Sequence, residues 1–229
     1  MNAFVFDMDG VLIDNSDFHV QAWTEYSRQY GRELSVDDIK SRLGFNNREY
    51  MRFVLDREPT EAEVVKSTVE KEALYRKLCR ERLVAPPGLI ALLEAAKRAG
   101  ITCSIATSAP KENVDFVLDG LRIRSFFKLI VDAGHVKHCK PDPEIYRVSA
   151  QRLGIPPERC VVFEDAIAGI QAGKGADMTV IAITTSYPAA ILAKQNPAAI
   201  IASFTDLAKP GPAVDVIARV TGQRLSITL

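Results

Sequence analysis

The sequence predicts a doubly wound α/β fold, a parallel sheet with helices on both faces, carrying an inserted α-helical cap domain. Three observations lead there. Short apolar runs alternate with helical patterns, acidic and hydroxyl residues stand at the ends of those runs, and the gap between the first and second runs far exceeds one crossover.

Ala3 to Phe6 is a brief apolar run stopped by Asp7 and Gly10, the pattern of a buried parallel strand. Ile101 to Ala106, Leu129 to Val131, Cys160 to Phe163 and Thr179 to Ile183 repeat it, each followed by turn or polar residues and a helical stretch. Helices are predicted at Gly88 to Ala99, where Leu89, Leu92, Leu93 and Ala96 recur at helical spacing, and at Pro143 to Leu153, closed by Gly154. Lys209 to Pro212 reads as a turn before a last short helix.

The helix at Gly88 to Ala99 suffices as the crossover between the first two strands, so residues 15–84 are surplus and must fold by themselves. Asp17 to Tyr30, Val36 to Arg42, Asn46 to Asp56 and Thr60 to Arg82 all mix apolar and charged residues at helical spacing, with Glu72 and Arg76 placed for an (i, i+4) pair. Residues 1–14 and 85–229 are therefore assigned to the core and 15–84 to the cap. The connections near Asp14 to Ser16 and through Ala85-Pro86-Pro87-Gly88 place a hinged lid beside the end of the first strand.

Composition narrows the function. With 29 basic and 29 acidic residues in 229, the chain has no positive excess to hold nucleic acid or an anionic membrane, so a small metabolite is the expected partner. Cys79, Cys103, Cys139 and Cys160 form no Cys-x-x-Cys pair and read as free thiols of a reducing compartment. No basic segment leads into a long apolar run at the start, and no stretch approaches the length of a membrane span, so a cytoplasmic enzyme is expected, with a monomer as the default state.

Asp7 and Asp9 follow the first strand directly, and residues two apart in extended chain face the same way, so both carboxylates can address one reacting group. Such a pair suits phosphoryl transfer, one acid attacking phosphorus and the other moving protons. Adjacent carboxylates repel a phosphate unless a cation intervenes, which implies Mg2+, with Asp165 at another strand end as the third contributor and Glu164 standing beside it. An Asp-x-Asp alone equally suits a helix cap or a turn. The strand-end context decides otherwise. Thr107 offers a hydroxyl, Ser108 and Ala109 offer backbone N–H groups at a helix start, and Lys140 offers a positive charge, all on strand ends that converge on one crevice.

The ordered set Asp7-Met8-Asp9-Gly10-Val11-Leu12, Thr107-Ser108, Lys140-Pro141-Asp142-Pro143 and Glu164-Asp165 resembles the four motifs of the haloacid dehalogenase superfamily, most of all its branch of beta-phosphoglucomutases and small-molecule phosphatases. The resemblance spans most of the chain and includes a helical cap between the first and second motifs. It implies a Rossmann-like core, Asp7 as nucleophile, Asp9 as general acid and base, Thr107 and Lys140 as phosphate holders, and magnesium held by Asp7, the Asp9 carbonyl, Glu164 and Asp165. Asp9 argues against dehalogenation, which needs neither a second acid here nor a metal.

In the cap, His19 and Trp23 resemble the first cap helix of that branch, where the matching histidine couples lid closure to acid and base action. The bland alternatives are a hydrogen-bonded helix residue and a core aromatic. Gly44-Phe45-Asn46-Asn47-Arg48 resembles its substrate-reading loop, except that Asn47 stands where the mutases have arginine and Arg48 comes one later. Lys71 resembles a cap lysine that enters the closed site, although a helical lysine is commonly solvated. His135 and His138 read as loop residues rather than metal ligands. The expectation is a magnesium-dependent phosphatase of a sugar or polyol phosphate. A phosphomutase is the alternative, and a catalytically silent binding module is a rival that intact Asp7, Asp9, Lys140 and Asp165 oppose.

Overall fold

A computed structural model of the chain describes residues 1–42 and 45–229; Gly44 of the expected substrate loop lies outside the described residues. The expected runs form β1 (Ala3–Phe6), β2 (Thr102–Ala106), β3 (Phe127–Val131), β4 (Cys160–Glu164) and β5 (Thr179–Ile183). A sixth strand, β6 (Ala199–Ile201), joins them; three residues are too few to give a periodic signal, and it is defined by pairing with β5. All neighbours are parallel, in the order β3-β2-β1-β4-β5-β6. β1 and β4 are buried along their whole length because both sheet faces are covered, which is why they read as continuous apolar runs.

Between β1 and the crossover helix lie α1 (Ser16–Ser27), α2 (Val36–Lys40), α3 (Asn47–Leu55) and α4 (Glu61–Cys79). Capping boxes at Ser35, Asn46 and Thr60 set where α2, α3 and α4 begin. Val20, Trp23, Tyr26, Leu34, Ile39, Tyr50, Met51 and Val54 form a hydrophobic cluster of their own within this segment. Ala22, Tyr75 and Cys79 face the other way and join the main core. The Glu72–Arg76 ion pair expected on α4 is absent, since both side chains turn instead to Asn113 of the core.

The remaining helices are α5 (Leu89–Arg98), α6 (Lys111–Gly120), α7 (Glu144–Leu153), α8 (Ile167–Gly175), α9 (Ala189–Leu192) and α10 (Pro212–Thr221). Side chains of α5, α6 and α10 pack in one cluster with Phe4 and Phe6. Those of α7 and α8 pack in another with Ala3, Val5 and Val162, as the alternation of side chains across β1 requires. Among the described residues no helix is long and apolar enough to cross a membrane.

Gly88, at the end of the returning connection, caps α5 with φ of 84°, and a Cβ there would lie 2.6 Å from the Thr205 nitrogen. Gly88→Ala should therefore lose about 2 kcal/mol from left-handed strain and displacement of the Thr205 backbone, roughly 4–8 °C in melting temperature for a chain of this size. A melting temperature equal to that of the parent protein would show that the connection relaxes freely.

Candidate active site

The strand order reverses at β1, whose neighbours β2 and β4 lead to opposite edges of the sheet, and in open parallel sheets ligands bind in the crevice at such a point. The residues just beyond these strands fill it. The Asp7 N–H continues the ladder by donating to Phe163 O at 3.0 Å, which fixes the Asp7 side chain over the end of β4. One carboxylate oxygen from each of Asp7, Glu164 and Asp165 lies within 4.8 Å of the other two, and all three residues are buried. Gly10 makes room for this approach, because a Cβ on its positive-φ backbone would collide with the Asp165 carboxylate.

One ammonium serves the cluster. Lys140 Nζ donates to Asp7 Oδ1 at 2.7 Å, to Glu164 Oε1 at 2.6 Å and to Ala106 O at 3.1 Å, so its three protons are all committed. Tyr146 OH adds a 2.7 Å bond to Glu164 Oε1, and Glu164 Oε2 accepts from the Asp165 and Ala166 N–H groups. Burial pushes the Asp7 carboxyl up to about 7, with Lys140 pulling it down and Glu164 and Asp9 pushing it further up. Burial, with Glu164 and Asp7, also drives Asp165 well above the carboxylate range. Three acids against one lysine make an anionic, oxygen-lined space that suits a hard divalent cation.

Asp9 lines the same cleft in a different setting. Its Oδ1 accepts from Asn15 Nδ2 at 2.6 Å and lies 3.6 Å from His19 Nε2. Burial alone would raise Asp9, but His19, Asn15 and Lys71 hold it below its ordinary value. Asn15, 1% exposed, also donates to Tyr75 OH at 2.6 Å and accepts from the Gly10 N–H, so the start of α1 is tied to the end of β1. The His19 ring stacks on Tyr75 with centroids 4.0 Å apart, and its Nδ1 lies 2.9 Å from Lys71 Nζ. Lys71 is buried, pairs with Glu72 Oε1 at 3.1 Å and sits 4.9 Å from the Trp23 ring centroid.

A family model described as haloacid dehalogenase-like hydrolase matches residues 1–177. The chain belongs to this family. It is 32% identical over 180 residues to a phosphorylated carbohydrates phosphatase of Thermotoga maritima, covering 77% of this chain and 82% of that one. It is 30% identical over 184 residues to the fructose-1-phosphate phosphatase YqaB of Escherichia coli, covering 78% and 94%. The crystal structure of a beta-phosphoglucomutase from Clostridium difficile superposes with a TM-score of 0.84 at 28% identity, covering 97% of this chain and all (100%) of that one.

Within this member of the haloacid dehalogenase-like family, Asp7, Asp9, Thr107, Ser108, Ala109, Lys140, Glu164, Asp165, His19, Asn47 and Lys71 all line one cleft. Two expectations need correction. Arg48 does not line the cleft: α3 starts at Asn47, one helical step turns the next side chain by about 100°, and Arg48 pairs with Glu58 and Glu61 on the exposed side. Ala109 offers no free N–H, because α6 starts only at Lys111 and the Ala109 N–H donates to Thr107 Oγ1 at 3.1 Å. His138 lies in a loop against Glu144. Sequence reasoning missed Asn15, Asn113, Tyr146 and Ser186, which bonds Asp165. A hint existed for Asn113, a polar residue four places before Val117 on the apolar face of its helix.

Lys140→Met should cost about 3 kcal/mol by leaving its carboxylates without a counter-charge. In chelator-treated buffer the deficit should be larger at pH 8 than at pH 5: Asp7 and Asp165 already bind protons more tightly in the native state than unfolded, and losing Lys140 strengthens that, so the variant's stability falls more steeply as pH rises. Urea unfolding at both pH values checks this, and an equal deficit at each would mean that only packing was lost.

Proposed function

We propose that this protein is a magnesium-dependent phosphatase that releases inorganic phosphate from a small phosphorylated carbohydrate or polyol through a phosphoaspartate on Asp7. The observation that carries the reading is the pairing of a buried Asp7–Glu164–Asp165 cluster beside Lys140 with a second acid, Asp9, held apart by Asn15 and His19. The names of the relatives, phosphatases of phosphorylated carbohydrates and of fructose 1-phosphate, support the substrate class.

The residues fit the metal, because the cluster sets Asp7, Glu164 and Asp165, all oxygen donors, against Lys140 alone. These carboxylates, with the Asp9 carbonyl, would hold Mg2+, which when bound favours their ionised forms and neutralises charge on the phosphoryl group. Asp7 then attacks phosphorus as the bond to the leaving oxygen breaks, and Lys140 with the Thr107 hydroxyl steadies the transferring oxygens. Asp9 hands a proton to the leaving oxygen, an incoming phosphate dianion having raised its proton affinity. Asp9 next takes a proton from water, whose oxygen attacks the phosphoaspartate, and phosphate departs as Asp7 is regenerated. Residues 15–84 act as the cap domain over residues 1–14 and 85–229, its Trp23, Asn47 and Lys71 facing the sugar. The free thiols of all four cysteines support a reducing, cytoplasmic setting.

Water, rather than a second substrate hydroxyl, is the acceptor. A mutase must grip a bisphosphate at both ends. Here Arg48 is engaged outside the cleft, and Lys71 is already paired with Glu72.

Asp7→Asn should abolish turnover while leaving the melting temperature near that of the parent, since the amide keeps the shape but is a poor nucleophile. Phosphate release near the wild-type rate would remove Asp7 from its role. Activity should require added Mg2+, and Mg2+ should raise the melting temperature of the parent but not of Asp165→Ala; equal rates in a chelator would contradict the metal assignment. With beta-glucose 1-phosphate and a bisphosphate primer, inorganic phosphate should appear faster than glucose 6-phosphate. Predominant isomerisation would make the protein a mutase.

A further inference from the structure

Away from the connection at Asn15, the contact that sets the cap on the core is at Asn113, on the buried face of α6. Its amide stands between side chains of opposite charge on successive turns of α4. Asn113 Nδ2 donates to Glu72 Oε2 at 2.7 Å, while Asn113 Oδ1 accepts from Arg76 Nη1 at 2.7 Å. Glu72 and Arg76 are spaced to pair with each other, so the interposed amide replaces an ion pair within the cap by a junction that exists only when cap and core meet. Both bonds are charge-assisted, and Asn113 and Glu72 are buried, where such bonds are strong and their loss is costly. Asn15, beside the connection from β1, also donates to the Asp9 carboxylate at 2.6 Å, and His19 Nε2 stands 3.6 Å from it; away from that connection, the other side-chain bridges from these helices to the core among the described residues are weaker in kind. Ser16 meets Ser186 and Tyr187 OH donates to Lys40 O, both between neutral groups, and Asn46 meets the thiol of Cys139.

The junction leads back to the chemistry. The second oxygen of Glu72 takes Lys71 Nζ at 3.1 Å, Lys71 reaches His19 Nδ1 at 2.9 Å, and His19 Nε2 stands 3.6 Å from Asp9. The path starts on the core at α6, crosses α4 and α1 of the cap, and returns to the core at Asp9. We infer that Asn113 is a positioning residue that latches the cap shut and, through Glu72, Lys71 and His19, sets Asp9 for proton transfer. Only a primary amide supplies a donor and an acceptor on adjacent atoms without adding charge. Aspartate would set a carboxylate against Glu72, and leucine would remove the bonds to both partners, leaving Glu72 with Lys71 alone.

The consequence for turnover rests on the phosphatase reading, but the latch itself can be tested without substrate. Trp23 is the only tryptophan, is 1% exposed and lines the cleft, so acrylamide quenching of its fluorescence in the ligand-free protein reports opening. Asn113→Leu keeps the volume of the side chain, and Arg76→Met removes the half-buried partner without disturbing the interior. Quenching should rise severalfold in Asn113→Leu and by less in Arg76→Met, while kcat for a sugar phosphate with Mg2+ falls about tenfold or more, as expected when a proton-transfer group is displaced. Circular dichroism establishes that each variant is folded, and if Asn113→Leu is not, Arg76→Met decides alone. Unchanged quenching in the folded variants would overturn the latch. If the parent protein turns over no phosphate ester, the phosphatase reading fails, while the quenching result still decides the latch.

Discussion

Three carboxylates crowd one buried space at the end of β1 and β4, and a single lysine pairs with two of them, Asp7 and Glu164. Much of the nearby structure answers to that repulsion. Lys140 spends its third proton on the Ala106 carbonyl, which ties the end of β2 to those of β1 and β4. Tyr146 reaches up from α7 to satisfy Glu164, and the first N–H groups after β4 fold back onto the same carboxylate. Uncompensated charge in an interior of low polarity costs several kcal/mol, so these bonds are conditions for the fold as well as features of the site.

Asp9 shows how two acids two residues apart acquire opposite character. Asp7 sits in the anionic cluster and is pushed up, whereas Asp9 faces the His19 imidazole, the Asn15 amide and the Lys71 ammonium and is held down. The separation follows from topology. Asp7 lies directly over the sheet, while the turn through Gly10, with its N–H on Ile13 O, swings Asp9 toward Asn15 and α1. The two carboxylates differ by which side of the cleft each one meets.

The helices inserted after β1 line the cleft with aromatic and amide surface: Trp23 stacked on Tyr50, with Asn46 and Asn47 beside them, and one lysine already neutralised by Glu72. Such a wall is what the proposed carbohydrate or polyol substrate calls for.

The amino-acid sequence by itself determined the parallel sheet, the helical insertion after β1 and which carboxylates gather at the strand ends, because those features rest on local periodicity and on residues placed at strand ends, where the chain direction alone aims them. The tertiary structure decided what depended on rotation about helix axes and on partners far apart in the chain. Arg48 faces outward because α3 begins one residue before it, and Glu72 leaves Arg76 for an amide 41 positions away. β6 exists only as a partner of β5. Lys71, which by its neighbours on α4 could equally be solvated, is buried because His19 from α1 and Glu72 meet it there. Spacing specifies which face of a helix a residue shares, but only packing against another element settles what that face meets.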